Sequence, residues 1–273
     1  MKVIKSNGEI EEFKADKLIN SLIRSGASLE EAQEIANIIQ LKITQPTPTR
    51  AIYRFAKELL KKTNPPSAMK YSLKKAMMRL GPSGYPFERF FAKLMQAYGF
   101  ETEVDVVEEG RCISHEIDVL AFNLNTVISV ECKYHSSAFR ASDAKVAMYV
   151  YSRFKDLEDR LKRKYNKERY EGWLITNTRL TIDAIKFSRC YNFKAVAWRY
   201  PEDGGLERLI EAKKLYPITV LSIKQDKLQN LLKHDIVMAS DILNKTNEFL
   251  ETIGLSRRKI TQLKRQVRAL ISP

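Results

Sequence analysis

Histidine and cysteine are scarce in this chain, three of each among 273 residues. So few histidines argue against a zinc site built on imidazole. Cys112, Cys132 and Cys190 are odd in number and show no metal-ligand spacing, so they read as reduced, mostly buried thiols. No apolar run approaches the roughly 20 residues of a membrane-spanning helix. The opening MKVIKSNGEI carries no apolar signal core. These two absences set the expectation of a cytoplasmic protein with no membrane partner. A Walker-type glycine loop is missing as well, which excludes a P-loop motor. Acidic residues are outnumbered: 33 Asp and Glu face 47 Lys and Arg, for a net charge of +14. Such an excess favours a polyanionic partner, nucleic acid first, over a merely soluble basic surface. It is unevenly spread, since the stretch from Arg257 to Arg268 holds six basic residues and no acid.

The length allows two or three domains. The chain is organised around GRCISHEIDVLAFNLNTVISVECKYH, residues 110–135. It reads as two β-strands around the turn residues Asn123 and Asn125. The first strand ends at Leu120-Ala121-Phe122 and the second opens at Thr126. Alternation puts Glu116, Asp118 and Leu120 on one face of the first strand, and Ser129, Glu131 and Lys133 on one face of the second. Paired strands would bring Asp118, Glu131 and Lys133 to one spot. Two carboxylates from adjacent strands are hard oxygen ligands suited to Mg²⁺ or Mn²⁺. A neighbouring lysine adds the positive charge that phosphodiester hydrolysis needs on its phosphoryl oxygens. The plainer reading is a charged, solvated strand face.

Asp118 followed by Glu131-Cys132-Lys133 resembles the PD-(D/E)xK nuclease superfamily. The flanking text is similar to its Mrr-like restriction endonucleases and archaeal-type junction resolvases. There a Glu-bearing helix precedes the hairpin, and Tyr85-Pro86-Phe87-Glu88 opens such a helix here. Downstream, Trp173-Leu174-Ile175-Thr176, a helix near 184–191 and Ala195-Val196-Ala197-Trp198 match the family's strand–helix–strand continuation. The resemblance implies Asp118 and Glu131 as metal ligands, Lys133 as a catalytic cation and Glu88 in support. Glu88 also reads simply as a carboxylate serving the helix dipole.

The first 80 residues read as a hairpin at Ser6-Asn7-Gly8 followed by about four helices. Ser28 with Glu31 forms a capping box, Pro46 and Pro48 break the second helix, and Thr49 caps the third. Pro65-Pro66 breaks again, and Ser67 caps the fourth, to Leu80. Lys5 and Lys17 can reach phosphates, and the Gly8 turn lets backbone approach them. Val3, Lys5, Asn7-Gly8, Glu11, Phe13 and Lys17 resemble the ATP-cone, a regulatory nucleotide-binding module. The resemblance implies ATP or dATP as ligand, with Val3 on the base, Lys5 and Lys17 on phosphates, and Glu11 within the motif. Ser6 and Lys14 depart from it.

Beyond the hairpin, Ser142 is expected to cap a long helix to about Arg169, with a charged second half that is either solvated or phosphate-tracking. Tyr134, His135 and Arg140 border the site and could clamp substrate, and Asn177-Thr178 read as a helix cap or phosphate contact. Residues 218–223 read as a last strand, followed by helices near 228–232, 236–243, 246–253 and 256–270. Arg257, Arg258, Lys259, Lys264 and Arg265 would neutralise DNA backbone, unless that tail is a packing or dimerisation element.

The expected architecture is α/β: a restriction-endonuclease-like mixed sheet flanked by helices (81–223), an N-terminal hairpin-plus-helical ATP-cone (1–80) and a basic helical module (224–273). The expected function is metal-dependent DNA cleavage by a homo-oligomer under adenine-nucleotide control. The alternatives are an inactive nucleotide-responsive DNA-binding regulator and a junction-specific resolvase.

Overall fold

A computed structural model describes residues 2–5, 8–42 and 46–272. The chain divides into two compact units, one running up to Leu73 and including residues from Gln262 on, the other Lys74–Thr261.

In the first unit, β1 (Lys2–Ile4) pairs antiparallel with β2 (Ile10–Glu12). Ser6 and Asn7 of the expected turn lie outside the described residues. Gly8 has φ +87°, and Lys5 N–H donates to the Glu9 carbonyl at 2.8 Å, closing the hairpin. Helices α1 (Ala15–Arg24) and α2 (Leu29–Lys42) follow, and Ser28 Oγ accepts Glu31 N–H at 3.1 Å as the capping-box reading requires. A short β3 (Thr47–Pro48) then pairs parallel with β1, ahead of α3 (Thr49–Thr63). Leu22, Ile39, Ala56 and Leu60 are fully enclosed in the core.

Helix α4 (Pro65–Tyr71) corrects the expected cap. The side chain of Asn64, not Ser67, accepts Ser67 N–H, at 3.2 Å. The two prolines open the helix rather than break it, because the first helical N–H groups have no intrahelical acceptor to lose. The helix expected to reach Leu80 ends at Tyr71, and α5 (Leu73–Met77) follows separately.

The second unit begins its sheet domain with α6 (Tyr85–Ala97), ended by Gly99 at φ +89°. Phe87, Phe90 and Phe91 are fully buried. Strands β4 (Glu101–Glu109), β5 (Ser114–Phe122) and β6 (Thr126–Lys133) form an antiparallel meander. A two-residue β7 (Ala141–Ser142) leads into α7 (Ala144–Tyr165). Its cap is Asp143, which accepts Val146 N–H at 3.1 Å, rather than Ser142. The helix stops at Asn166 in the left-handed conformation, short of Arg169, which already belongs to β8 (Arg169–Thr176). After β9 (Arg179–Leu180), α8 (Ile182–Cys190, capped by Thr181) crosses to β10 (Lys194–Val196), parallel to β8 as expected. The five-stranded sheet runs β10-β8-β6-β5-β4. It is mixed, parallel on one side of β6 and antiparallel on the other. The central β6 is buried almost throughout, as a strand covered on both faces must be.

Then α9 (Leu206–Lys213) follows. The strand expected at 218–223 is instead a 3₁₀ turn, Ile218–Val220. Its apolar run is buried against Val237 and Met238 rather than in a ladder, with Ile218 N–H on the Val237 carbonyl. Helix α10 (Gln225–Lys233) matches its expectation. Of the helix expected at 236–243, only α11 (Asp241–Asn244) forms, because Ile236–Met238 is extended against that turn. Helices α12 (Asn247–Thr252) and α13 (Arg257–Ile271) complete the chain.

Candidate active site

The β5–β6 ladder ends at the pair Val119–Val130. One residue beyond, a side chain replaces backbone: Asp118 Oδ2 accepts Cys132 N–H at 2.6 Å. The next residue back along β6 from Cys132 is Glu131, which is 7% exposed. Lys133 Nζ donates to Glu131 Oε1, and Arg153 of α7 donates to Glu131 Oε2 at 2.5 Å. Arg153 also donates to the Glu116 carbonyl, bracing α7 on the end of β5. The expected trio of Asp118, Glu131 and Lys133 is therefore brought together. Arg153 is a fourth member that the pattern did not mark.

Glu88, in the first turn of α6, belongs to the same cluster. Burial first, then the charges of Asp118 and Asp105, push its carboxyl up to about 7. Asp118 is pushed up to about 6 by burial and then by Glu131. Glu88 is also the acidic residue of the first turn of α6, where it meets the positive end of the helix dipole. Gly84 makes room for it, since a Cβ there would stand 2.7 Å from Glu88 Oε1. Asp105 was missed. It falls between the ladder pairs Val104–Val119 and Val106–Ile117, across from Asp118, with φ +54° in the middle of β4, and its charge helps raise Glu88. Left-handed backbone at a non-glycine inside a strand is strained, and here it faces the carboxylate cluster.

Among the described residues no group of three or more His, Cys, Asp or Glu is arranged to hold a metal ion. The donor chemistry nonetheless fits a hard divalent cation. Glu88 and Asp118 are oxygen donors, both raised chiefly by burial, Glu88 further by the charge of Asp118 and Asp118 by that of Glu131.

Other expected neighbours have structural duties. Tyr134 Oη donates to the Met78 carbonyl at 2.7 Å and accepts Gly81 N–H at 2.8 Å, tying down the turn that leads into α6. Asn177 is fully buried and bridges His135 backbone, accepting its N–H and donating to its carbonyl, both at 2.8 Å. It is neither a helix cap nor open to a phosphate. His135 is held low by burial and then by Arg140 and Lys133, and its Nε2 lies 3.2 Å from Ser142 Oγ. Arg140 is exposed beside it.

Of the C-terminal cations, Arg257 pairs with Glu251 at 2.6 Å and Lys259 Nζ donates to the Ser222 carbonyl at 2.6 Å. Arg258 and Arg265 are exposed, and Lys264 is half-buried.

In the first unit Val3 is a core residue, 2% exposed. Lys5 lies 3.0 Å and Lys17 3.8 Å from Glu11. Lys5 holds the Glu11 carboxyl low, and Glu11 in turn raises Lys5. The expected pair of lysines is thus gathered around one carboxylate.

Comparison with known proteins matches residues 1–73 to the ATP cone domain and residues 216–271 to the family described as AF1548-like, C-terminal. A protein of Archaeoglobus fulgidus, described as uncharacterized, is 36% identical over 180 residues, 66% of this chain and 99% of the relative. A crystal structure described as a protein of unknown function, AF1548, superposes with TM-score 0.58 at 34% identity, covering 69% of this chain and 98% of that one. The chain belongs to the AF1548-like family and carries an ATP-cone domain at its N-terminus.

Proposed function

We propose that this protein is a divalent-metal-dependent DNA endonuclease of the PD-(D/E)xK type, working in the cytoplasm under control of ATP or dATP. The observation that carries the reading is the convergence of Glu88, Asp118, Glu131 and Lys133, with the Glu88 and Asp118 carboxyls displaced upward by burial and by neighbouring carboxylates. Crowded, partly buried carboxylates cost stability, and such groups gather at functional sites. Asp118 and Glu131 would hold Mg²⁺ or Mn²⁺, with Glu88 in support. When bound, that cation lowers the pKa of the attacking water and polarises the scissile phosphate. Lys133 orients the nucleophile and offsets charge on the phosphoryl oxygens. Arg153 keeps Glu131 in position from behind. Arg140 would hold DNA beside the site, with the basic set Arg257, Arg258, Lys259, Lys264 and Arg265 neutralising backbone elsewhere. Within the ATP-cone, nucleotide phosphates would take the place of Glu11 between Lys5 and Lys17. Nucleotide-driven self-association would pair two sites, so that a nicking centre cuts both strands.

The test is incubation of the full chain with supercoiled plasmid and Mg²⁺ or Mn²⁺, with and without ATP, beside Glu131→Ala and Lys133→Ala. Nicked or linear product from wild type alone supports the reading. A four-way junction cut in preference to linear duplex would narrow it to a resolvase.

One observation favours a second reading, a nucleotide-responsive DNA-binding regulator without catalysis. Both oxygens of Glu131 are already engaged by Lys133 and Arg153. A Mg²⁺- or Mn²⁺-induced rise in melting temperature that Glu131→Ala abolishes would count against it.

A further inference from the structure

On the far side of the sheet domain, β10 is too short for its neighbour. Its three residues pair with Trp173–Ile175, so among the described residues β8 has no outer partner strand at Tyr170–Gly172. A cavity of about 530 Å³ fills that gap. This lies within the range of roughly 300–1,000 Å³ for small-ligand pockets.

Its walls are aromatic. Tyr151 and Tyr191 have ring centroids 4.9 Å apart, and Tyr151 meets Phe193 edge-on at 5.9 Å. Tyr191 nonetheless remains 52% exposed. Tyr200 closes another side. The rim is cationic. Arg189 stands 5.7 Å from the Tyr200 ring centroid, and its Nε donates to Tyr200 Oη at 3.2 Å. Lys194 Nζ lies 4.5 Å from the Trp173 ring centroid. Lys155, already paired with Glu158, and the carboxylate of Glu171 complete the charged lining. Arg189 and Lys194 are thus held by ring faces, which preserves their charge for an incoming anion.

Flat, exposed rings beside cations suit a planar, anionic ligand, and each base of a nucleic acid offers a π-face next to a phosphate. We propose that this cavity binds an unstacked nucleotide of single-stranded DNA, the base against Tyr191 and Tyr151 and the phosphate between Arg189 and Lys194. The ligand class follows from the nucleic-acid reading above, but the site does not depend on cleavage. Phe154 forms part of this cavity wall and also lines the small void beside Glu131 and Arg153. It is held against Gly172, where a Cβ would stand 2.6 Å from its ring. Phe154 is thus a wall common to the cavity and to the void beside Glu131.

The test is binding of a twelve-nucleotide DNA strand containing 2-aminopurine to the full chain, in EDTA so that no cleavage intervenes. Wild type should quench the probe by stacking. Tyr191→Ala should abolish the quench and weaken binding about tenfold. Lys194→Ala, at an exposed edge position that threatens folding least, should weaken binding and flatten its salt dependence by about 0.7 in the log–log slope. Binding of blunt duplex should not change in either variant. Unaltered strand affinity and quench in both variants would overturn the proposal, as would competition by free dTMP as effective as that by the strand. Because the assay excludes metal, strand binding can hold while plasmid cleavage fails, and the reverse, so the two readings fall separately.

Discussion

Replacing Glu88 by glutamine should stabilise the metal-free protein, and only at high pH. The carboxyl titrates at about 7 when folded against 4.5 for an unperturbed glutamate. At about 1.36 kcal/mol per unit, that gap bounds the penalty of the ionised form at roughly 3.4 kcal/mol. Glu88 is only half-buried, so solvent screening reduces the working figure to about 1–2 kcal/mol. Below pH 4.5 the carboxyl is neutral in both states and the two proteins should match. As pH rises from 4.5 to 7 the native state holds a proton that the unfolded chain releases, so wild type loses stability relative to the variant. Above 7 the full difference is expressed. Both tryptophans, Trp173 and Trp198, belong to the unit Lys74–Thr261, so their fluorescence during urea unfolding reports that unit. The measurement is unfolding at pH 5 and pH 8.5 in EDTA, then at pH 8.5 with Mg²⁺, which should reverse the order. A variant no more stable than wild type at pH 8.5, or one showing the same difference at pH 5, would refute the carboxylate-repulsion argument.

Arg153→Met leaves the buried Glu131 charge with Lys133 alone and should cost about 3 kcal/mol in urea unfolding. Its effect should be markedly non-additive with Glu131→Gln in a double-mutant cycle. Asp156 accepts Cys112 and Ile113 N–H and lies 2.8 Å from His115 Nε2. The bond to His115 is the main reason its carboxyl sits at about 2. That stabilisation is full above pH 3.8 and is lost as pH falls through 2, so Asp156→Ala should lower the melting temperature at pH 7 and flatten its decline in acid. Gly172→Ala should destabilise by about 1–3 kcal/mol, because the added methyl meets the Phe154 ring. Lys5→Gln should weaken ATP binding about tenfold in calorimetry, in line with the loss of one charge-assisted phosphate contact.

What could be read from the chain alone divides along physical lines. Period-two alternation is local, so β5, β6 and the faces of Asp118, Glu131 and Lys133 were legible, as was the parallel β8–α8–β10 crossover. Arg153 was not, because nothing in a charged helix says which of its turns passes behind Glu131. Asp105 was hidden for a related reason: its importance lies in ladder register opposite Asp118 and in one left-handed backbone angle, and both are tertiary. Apolar runs misled where burial did not mean a ladder. Ile218–Val220 has strand composition but packs as a 3₁₀ turn, and Ile236–Met238 spends its backbone on that turn instead of on a helix. Caps failed where two candidates stood close together. Asn64 outcompeted Ser67 because prolines prefer the first helical turn, and Asp143 outcompeted Ser142 by a single residue.

The most direct test of the account is plasmid cleavage by the purified full chain. With Mg²⁺ or Mn²⁺ present, wild type should convert supercoiled DNA to nicked or linear forms, ATP should change the rate, and Glu131→Ala and Lys133→Ala should each be inactive while still binding DNA. Intact plasmid under every divalent cation, or cleavage that persists undiminished in both variants, would contradict it.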